Sequence, residues 1–160
     1  SDLDFQIRKR ALATAYAANE LGMVSNLVYL EEAFYFVPLL MALHLQRQGR
    51  YRAALDWFCT LFDDPSYSGM HLMCNWLDPA DSPPESDADA YTRPGDWLLD
   101  PFNPHSVAKF RHGAYRRFTL ICLIRCLFEY ADSEFTMDNI ESIARARRYY
   151  IKALDLLDLP

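Results

Sequence analysis

Residues 114–134 read AYRRFTLICLIRCLFEYADSE and carry an apolar pattern with helical spacing. Side chains three and four positions apart share one face of an α-helix, so apolar residues at these intervals predict a helix with a buried side. The stripe consists of Leu120, Leu123, Ile124, Leu127, Phe128 and Ala131, widened by Phe118, Ile121 and Cys122. Because apolar residues cover more than half of the circumference, we predict that this helix is central or faces a second partner.

Two helices are predicted near the N-terminus. Residues 4–21 carry a moderate helical pattern that ends at Gly22. Ser25 or Asn26 then caps a second helix, because a short polar side chain can accept a hydrogen bond from a free backbone N–H. Pro38 lies inside this helix and should bend it, since its ring removes a backbone hydrogen bond. The predicted buried face of this helix contains Leu27, Leu30, Phe34, Val37, Met41 and either His44 or Leu45.

Two more helices complete the regular segments. Gly49 is a natural C-terminal cap, and a third helix should cover residues 50–62. The last helix opens at Asp138 or Asn139, and Glu141 would complete a capping box if Asp138 is the cap. The third helix should bury Ala54, Leu55, Phe58, Leu61 and Phe62. The last should bury Ile143, Ala146, Tyr150, Ala153, Leu154 and Leu157.

Residues 64–103 have a different character. Six of the nine prolines lie from Pro79 to Pro104. The stretch from Asp78 to Asp100 contains seven acidic residues and one basic residue, Arg93. Such composition predicts a long, acidic, proline-rich loop within one domain rather than a boundary between two. A short helix should follow over residues 105–110. We therefore treat residues 1–160 as a single helical domain.

An internal similarity indicates how the helices pair. GRYRAALDWF at residues 49–58 and ARARRYYIKAL at residues 144–154 each follow a long apolar helix. Each resembles the second helix of a tetratricopeptide-type hairpin, in which small alanines allow close helix packing. The predicted fold is therefore all-α, with five to six helices. It contains two packed tetratricopeptide-like hairpins, an N-terminal helix and one long loop.

Composition limits the classes of partner. The chain has 160 residues, is 51% hydrophobic and carries a formal net charge of −6, which argues against disorder and against nucleic acid as a partner. The most apolar stretch, residues 33–45, is shorter than the roughly 20 residues that cross a bilayer. We therefore expect a buried helix there and no membrane span.

Two sets of residues resemble one known family. The first is EEAFYFVPLL at residues 31–40, followed by QGRY at 48–51, Ala54, WF at 57–58 and LFD at 61–63. The second comprises Asp100, Pro101, Tyr115, Asp132, Phe135, Asp138, Glu141, Ser142, Ile143, Ala146, Tyr150, Ala153, Leu156 and Leu157. In this order, and over about two-thirds of the chain, they are similar to the A components of bacterial toxin complexes (Tc insecticidal toxins).

The resemblance implies a role in assembly. Family A components form pentameric particles that recognise host cells and inject a translocation channel, and they pass on a toxic enzyme delivered by B and C components. The matching region is helical scaffold in the C-terminal half of that large subunit. It implies an excised, non-catalytic domain without cofactor, whose partners are further copies and the B and C components. The particle would be secreted or at the cell surface. The alternative is a stand-alone tetratricopeptide-like adaptor that binds a protein partner.

Five residues are candidate interface positions. Trp76, Tyr91 and Trp97 lie in or beside the acidic loop, and large aromatic side chains often anchor protein interfaces. Arg116 and Arg117 form a basic pair that could meet an acidic partner. The alternative for the aromatic residues is that they cover the helical core, and for the arginines that they form a solvated face.

Metal binding is a weaker interpretation of the sequence. His71 and Cys74 have a ligand-like spacing, and Cys122 and Cys126 lie one helical turn apart. The apolar neighbours of the second pair favour small buried side chains instead. We predict no metal site.

Catalysis is equally weakly supported. Asp63 and Asp64 end a helix, where carboxylates face the unfavourable end of the helix dipole, and a helix stop explains them. His105 and Ser106 with Asp100 could form a triad, but no nucleophile-elbow Gly-x-Ser-x-Gly motif is present. We predict no catalytic residues.

Overall fold

The chain forms five helices in the part that the computed structural model describes, which is residues 2–22, 26–62, 72–74, 77, 102, 108 and 113–157. No β-strand occurs among these residues, and Phe62 and Leu72 form an isolated antiparallel bridge. The predicted all-α class is confirmed. The helices are α1 (Asp2–Glu20), α2 (Leu27–Arg47), α3 (Tyr51–Cys59), α4 (Ala114–Phe135) and α5 (Ile140–Leu157). The predicted loop at 64–103 and short helix at 105–110 lie almost wholly outside the described residues.

The helices pair as two hairpins, as the internal similarity predicts. α2 packs against α3, α4 packs against α5, and α3 against α4 joins the hairpins, while α1 contacts the start of α2. Small residues lie where the helices meet: Ala54, Cys126, Ala131 and Ala153 are all fully buried. Without long side chains between them the backbones approach closely, and larger residues such as Phe58 and Leu127 fill the remaining space.

Two helix ends follow the predicted chemistry closely. Gly49 adopts a φ of 71° and donates its N–H to the Gln46 carbonyl, while Arg50 N–H reaches the Leu45 carbonyl. A glycine takes this left-handed conformation without a steric penalty, which allows the sharp turn into α3. At the start of α5 the cap is Asn139, whose Oδ1 accepts the Ser142 N–H at 2.8 Å. The Ser142 Oγ is 3.3 Å from the Asn139 N–H and accepts from it.

The other proposed caps play different roles. Asn26 stands at the start of α2, but its side chain makes no capping hydrogen bond. Asp138 has a φ of 47° and precedes the cap, so Glu141 completes no capping box with it. Glu141 pairs instead with Arg145, one turn along α5, at 3.7 Å.

A π-helical stretch lies inside α2 and corrects the predicted buried face of this helix. Residues Glu32–Phe36 form a π-turn directly before the α-helical segment that contains Pro38. The helix continues past Pro38, which has no backbone N–H. The wider π-turn before it accommodates this loss, because a π-turn holds one more residue than an α-turn. That extra residue rotates the following segment by about 100°. The buried residues are Pro38, Leu39, Ala42, Leu45 and Gln46, whereas Val37 and Met41, which were predicted to be buried, are exposed. Of the alternatives His44 and Leu45, Leu45 is the buried one.

Two further predictions are wrong at the edges of the hairpins. α3 ends at Cys59 rather than at residue 62, and the Thr60 hydroxyl donates to the Trp57 carbonyl at 2.7 Å, which competes with continuation of the helix. Leu61 and Phe62 remain buried beyond the helix. On α5, three of the predicted core residues (Ile143, Leu154 and Leu157) are exposed, as are Phe118 and Ile121 on α4.

α2 is long and apolar enough to cross a membrane by length and composition. A core helix of a soluble protein can satisfy the same criterion, but it is mostly buried, whereas only 28% of the apolar window of α2 is buried. Here the helix packs against α3 and α4, and Gln46 near its end donates to Glu129 of α4 at 2.8 Å.

Candidate protein interface

The aromatic members of the predicted interface lie outside the described residues. These members are Trp76, Tyr91 and Trp97. Leu72, Met73 and Cys74, just before Trp76, are buried against the helical core. The Met73 N–H donates to the Leu61 carbonyl at 2.8 Å. Residues 72–74 are therefore held against the chain just after α3.

The predicted basic pair lies in the first turn of α4. Arg117 is exposed, whereas Arg116 is half-buried and interacts with other groups of the chain. The structure therefore separates two residues that the sequence treated alike. Only Arg117 projects fully into solvent.

A ladder of tyrosines joins three helices on one side of the molecule. Tyr130 of α4 stacks on Tyr149 of α5 with ring centroids 4.3 Å apart, and on Tyr51 of α3 at 5.6 Å. Aromatic pairs of this kind contribute about 0.5–1.5 kcal/mol beyond the area they bury. The ladder thus fixes the angle at which the two hairpins meet.

An ion pair extends this junction. The Arg145 Nε donates to the Glu134 carboxylate at 2.8 Å, and Glu134 is almost fully buried. This hydrogen bond, together with the nearby carboxylates, raises the pKa of Arg145. A carboxylate inside the protein needs such a partner, since an unpaired buried charge is strongly unfavourable. The pair therefore stabilises the α4–α5 hairpin at its closed end.

A cleft of about 440 Å³ opens between the start of α3 and the end of α4. It is lined by Gly49, Arg50, Tyr51, Arg52, Ala53, Asp56, Tyr130, Ser133, Glu134 and Met137. Charged residues of both signs and the rings of Tyr51 and Tyr130 line it. The sequence did not predict this site, because its residues come from helices far apart in the chain.

The thiols and histidines offer little chemistry where they are described. Cys126 and Cys74 are buried, and that burial raises the pKa of each thiol to about 12. They are therefore neutral at physiological pH, whereas zinc binds the thiolate. His44 pairs with Gln48 at 2.9 Å on the surface. Among the described residues no three His, Cys, Asp or Glu side chains form a group that could hold a metal ion.

The other residues considered for metal binding or catalysis lie in segments that the structure does not describe. His71, Asp63, Asp64, Asp100, His105 and Ser106 all lie outside the described residues.

Large apolar side chains are exposed on two parts of the surface. On α2 they are Val28, Tyr29, Val37, Leu40 and Met41, and on the α4–α5 hairpin they include Phe118, Ile121, Phe135, Ile140, Ile143, Ile151, Leu154 and Leu157. Single exposed apolar residues are ordinary, but continuous sets mark interaction surfaces. The width of the apolar pattern on α4 was the sequence signal for the second set.

Comparison of the chain with protein-family models, with curated proteins and with solved structures found no match in any of the three.

Proposed function

We propose that this chain is a scaffold and assembly domain that takes no part in catalysis and belongs to an A-type subunit of a bacterial toxin complex. The observation that carries the proposal is the exposure of large apolar side chains on both hairpins, at α2 and at α4–α5. A domain that presents apolar faces on two sides is suited to a place between other protein layers. The sequence resemblance supports the particular class of assembly.

The proposal implies a set of partners and a location. Further copies of the parent subunit and the B and C components of the complex would surround the domain. The particle that contains it would act outside the cell, secreted or at the cell surface. No nucleic acid, membrane span or cofactor is part of this proposal.

The size of the native polypeptide tests the scaffold role. An antibody against residues 114–157 would be used to probe an immunoblot of the producing cells. We expect a band many times larger than a 160-residue polypeptide. A band at the size of the chain itself would contradict the proposal.

A second candidate function is a stand-alone helical adaptor, which the cleft at the start of α3 favours. Its aromatic wall and its arginines, Arg50 and Arg52, suit a short peptide with acidic residues. In that case the immunoblot shows the small band, and Arg52→Glu abolishes capture of the partner. The matched control is Arg148→Glu, an exposed arginine on α5 outside the cleft.

A further inference from the structure

One carboxylate oxygen at the cleft beside α3 has no hydrogen-bond partner among the described residues. Glu134 lines the cleft and is only 7% exposed. Its Oε2 accepts the Arg145 Nε–H at 2.8 Å, and within the described part of the chain this is the one hydrogen bond to the carboxylate. The second oxygen, Oε1, is therefore an open acceptor on a side chain that is otherwise buried.

An open acceptor of this kind points to a ligand. Buried polar atoms in folded proteins are nearly always hydrogen-bonded, because the loss of water without a new partner is unfavourable. Arg145 holds the carboxylate in place through Oε2 and neutralises its charge. Since a second cation would be repelled by Arg145, the donor that suits Oε1 is an uncharged N–H or O–H group.

The other charges at the cleft leave an excess of one positive charge. Arg50, Arg52 and Asp56 line it and are exposed. None of these three side chains forms an ion pair with another described residue. Two arginines against one aspartate attract a single anionic group, in addition to the neutral donor at Glu134.

The remaining surface of the cleft suits the carbon atoms of a ligand. The rings of Tyr51 and Tyr130 are stacked with centroids 5.6 Å apart, and Met137 is 57% exposed. The volume of about 440 Å³ lies in the range of roughly 300–1,000 Å³ that is usual for binding sites. A short stretch of polypeptide combines all three requirements, because it carries main-chain N–H donors, acidic side chains and apolar carbons close together.

We propose that the cleft binds a segment of a partner protein through two contacts. An Asp or Glu side chain of the partner pairs with Arg50 and Arg52, and an uncharged N–H of its neighbouring main chain donates to Glu134 Oε1. Glu134 is thus the residue that recognises the donor. The inference rests on the adaptor function named above and adds this second contact to it.

A library of random peptides displayed on phage and selected against the purified chain supplies the probe. We expect the selected peptides to share an Asp or Glu. Arg52→Glu should raise the Kd of a selected synthetic peptide by about tenfold or more, measured by fluorescence anisotropy, because it places two like charges together. Arg148→Glu, at an exposed position on α5 outside the cleft, should leave the Kd unchanged.

Methylation of the peptide nitrogens, one at a time, tests the contact with Glu134. At one position it should raise the Kd by about tenfold, since the methyl group removes the donor to Oε1. On Glu134→Ala the same methylation should have little further effect, because the accepting oxygen is already gone. A merely structural defect in Glu134→Ala would instead weaken the methylated and unmethylated peptides by the same factor.

Glu134→Gln provides the measurement if circular dichroism shows that the alanine variant does not fold. Its amide oxygen can keep the bond from Arg145 while its NH₂ group replaces Oε1. That group cannot accept the peptide N–H, so the effect of methylation should again disappear.

Two results would overturn the inference. If peptides bind through Arg52 and no methylation effect depends on Glu134, the contact is rejected and the adaptor function stands. If the selection yields no acidic peptide, the cleft does not bind such a segment, and the immunoblot described above then decides the adaptor function by itself.

Discussion

At the scale of single residues, one buried hydroxyl network links the two hairpins. Tyr35 of α2 is 1% exposed, and its hydroxyl lies 2.9 Å from the Thr119 Oγ1 of α4. Thr119 in turn donates to the Tyr115 carbonyl at 2.8 Å, so the tyrosine is the donor of the first bond. Burial raises the pKa of Tyr35 to about 12. The network therefore stays neutral and intact at physiological pH.

Removal of either partner should destabilise the fold modestly, and the two effects should not add. We expect Tyr35→Phe to lower the free energy of unfolding by about 1 kcal/mol, because it removes the buried hydrogen bond to Thr119. Thr119→Val should lower it by more, because it also removes the hydrogen bond to the Tyr115 carbonyl. The double variant should lose less than the sum of the two, by about 0.5 kcal/mol or more, since the two side chains share that bond. Urea unfolding measures all three.

Thr14→Val is the matched control for this cycle. Thr14 also donates to the carbonyl four residues earlier, but on the exposed surface of α1, so its stability effect should be small. Strict additivity of the Tyr35 and Thr119 variants would contradict the shared hydrogen bond.

The cysteines should differ sharply in reactivity. Cys59 is exposed at the end of α3, whereas Cys74 and Cys126 are buried with a pKa raised to about 12 by that burial. The thiolate is the reactive form, so both access and ionisation protect the buried pair. Iodoacetamide at pH 8 followed by mass spectrometry should label Cys59 in the native protein, and Cys74 and Cys126 only in denaturant. Equal labelling of Cys126 and Cys59 in the native state would show that α4 is not packed as described.

At the scale of helices, the ends are set by local chemistry that a substitution can isolate. Asn139 caps α5 through its side chain, and Asp138 lies before it in the left-handed region. We expect Asn139→Ala to lower the free energy of unfolding by about 1 kcal/mol through loss of that cap. Asp138→Gly should be neutral or stabilising, because glycine tolerates a φ of 47° better. Denaturant midpoints of the two variants measure the difference. A larger loss of stability in Asp138→Gly than in Asn139→Ala would show that Asp138 is the cap.

At the scale of the whole molecule, the buried cysteine thiols and tyrosine phenols predict that the free energy of unfolding decreases at alkaline pH. The folded pKa values of Cys126 and Tyr35 are raised above their ordinary values of 9.0 and 10.0, to about 12. Between those limits the unfolded chain loses protons that the folded chain keeps, so stability falls as pH rises. The contribution is fully present below pH 9 and is lost progressively towards pH 12.

Thermal unfolding measured from pH 8 to pH 12 checks this expectation. The wild-type midpoint should change little from pH 8 to pH 9 and fall from there to pH 12, and Tyr35→Phe should show a shallower decline above pH 10 because its phenol is gone. A profile for Tyr35→Phe parallel to that of the wild type would show that other groups cause the loss.

Much of the fold could be predicted because it depends on neighbours along the chain. Helical periodicity locates four of the five helices to within a few residues, and Gly49 ends α2 through a conformation that glycine readily adopts. The core residues of α3, such as Ala54 and Phe58, follow from the same spacing. The wide apolar pattern of α4 predicted that the helix is central or faces a second partner, but the sequence could not say which residues would remain exposed.

The sequence by itself therefore determined the helical class, the pairing into hairpins and most helix ends, because hydrogen bonds and caps form between residues close in the chain. The tertiary structure decided which faces of α2 and α5 are buried. The π-turn before Pro38 moves the core of α2 by one residue, from Val37 and Met41 to Pro38 and Ala42. On α5 the burial of Ala146 and Ala153 confirms the sequence prediction, whereas the close approach of α4 leaves Leu154 exposed. Both outcomes depend on the fit between helices distant in sequence, which no local pattern contains.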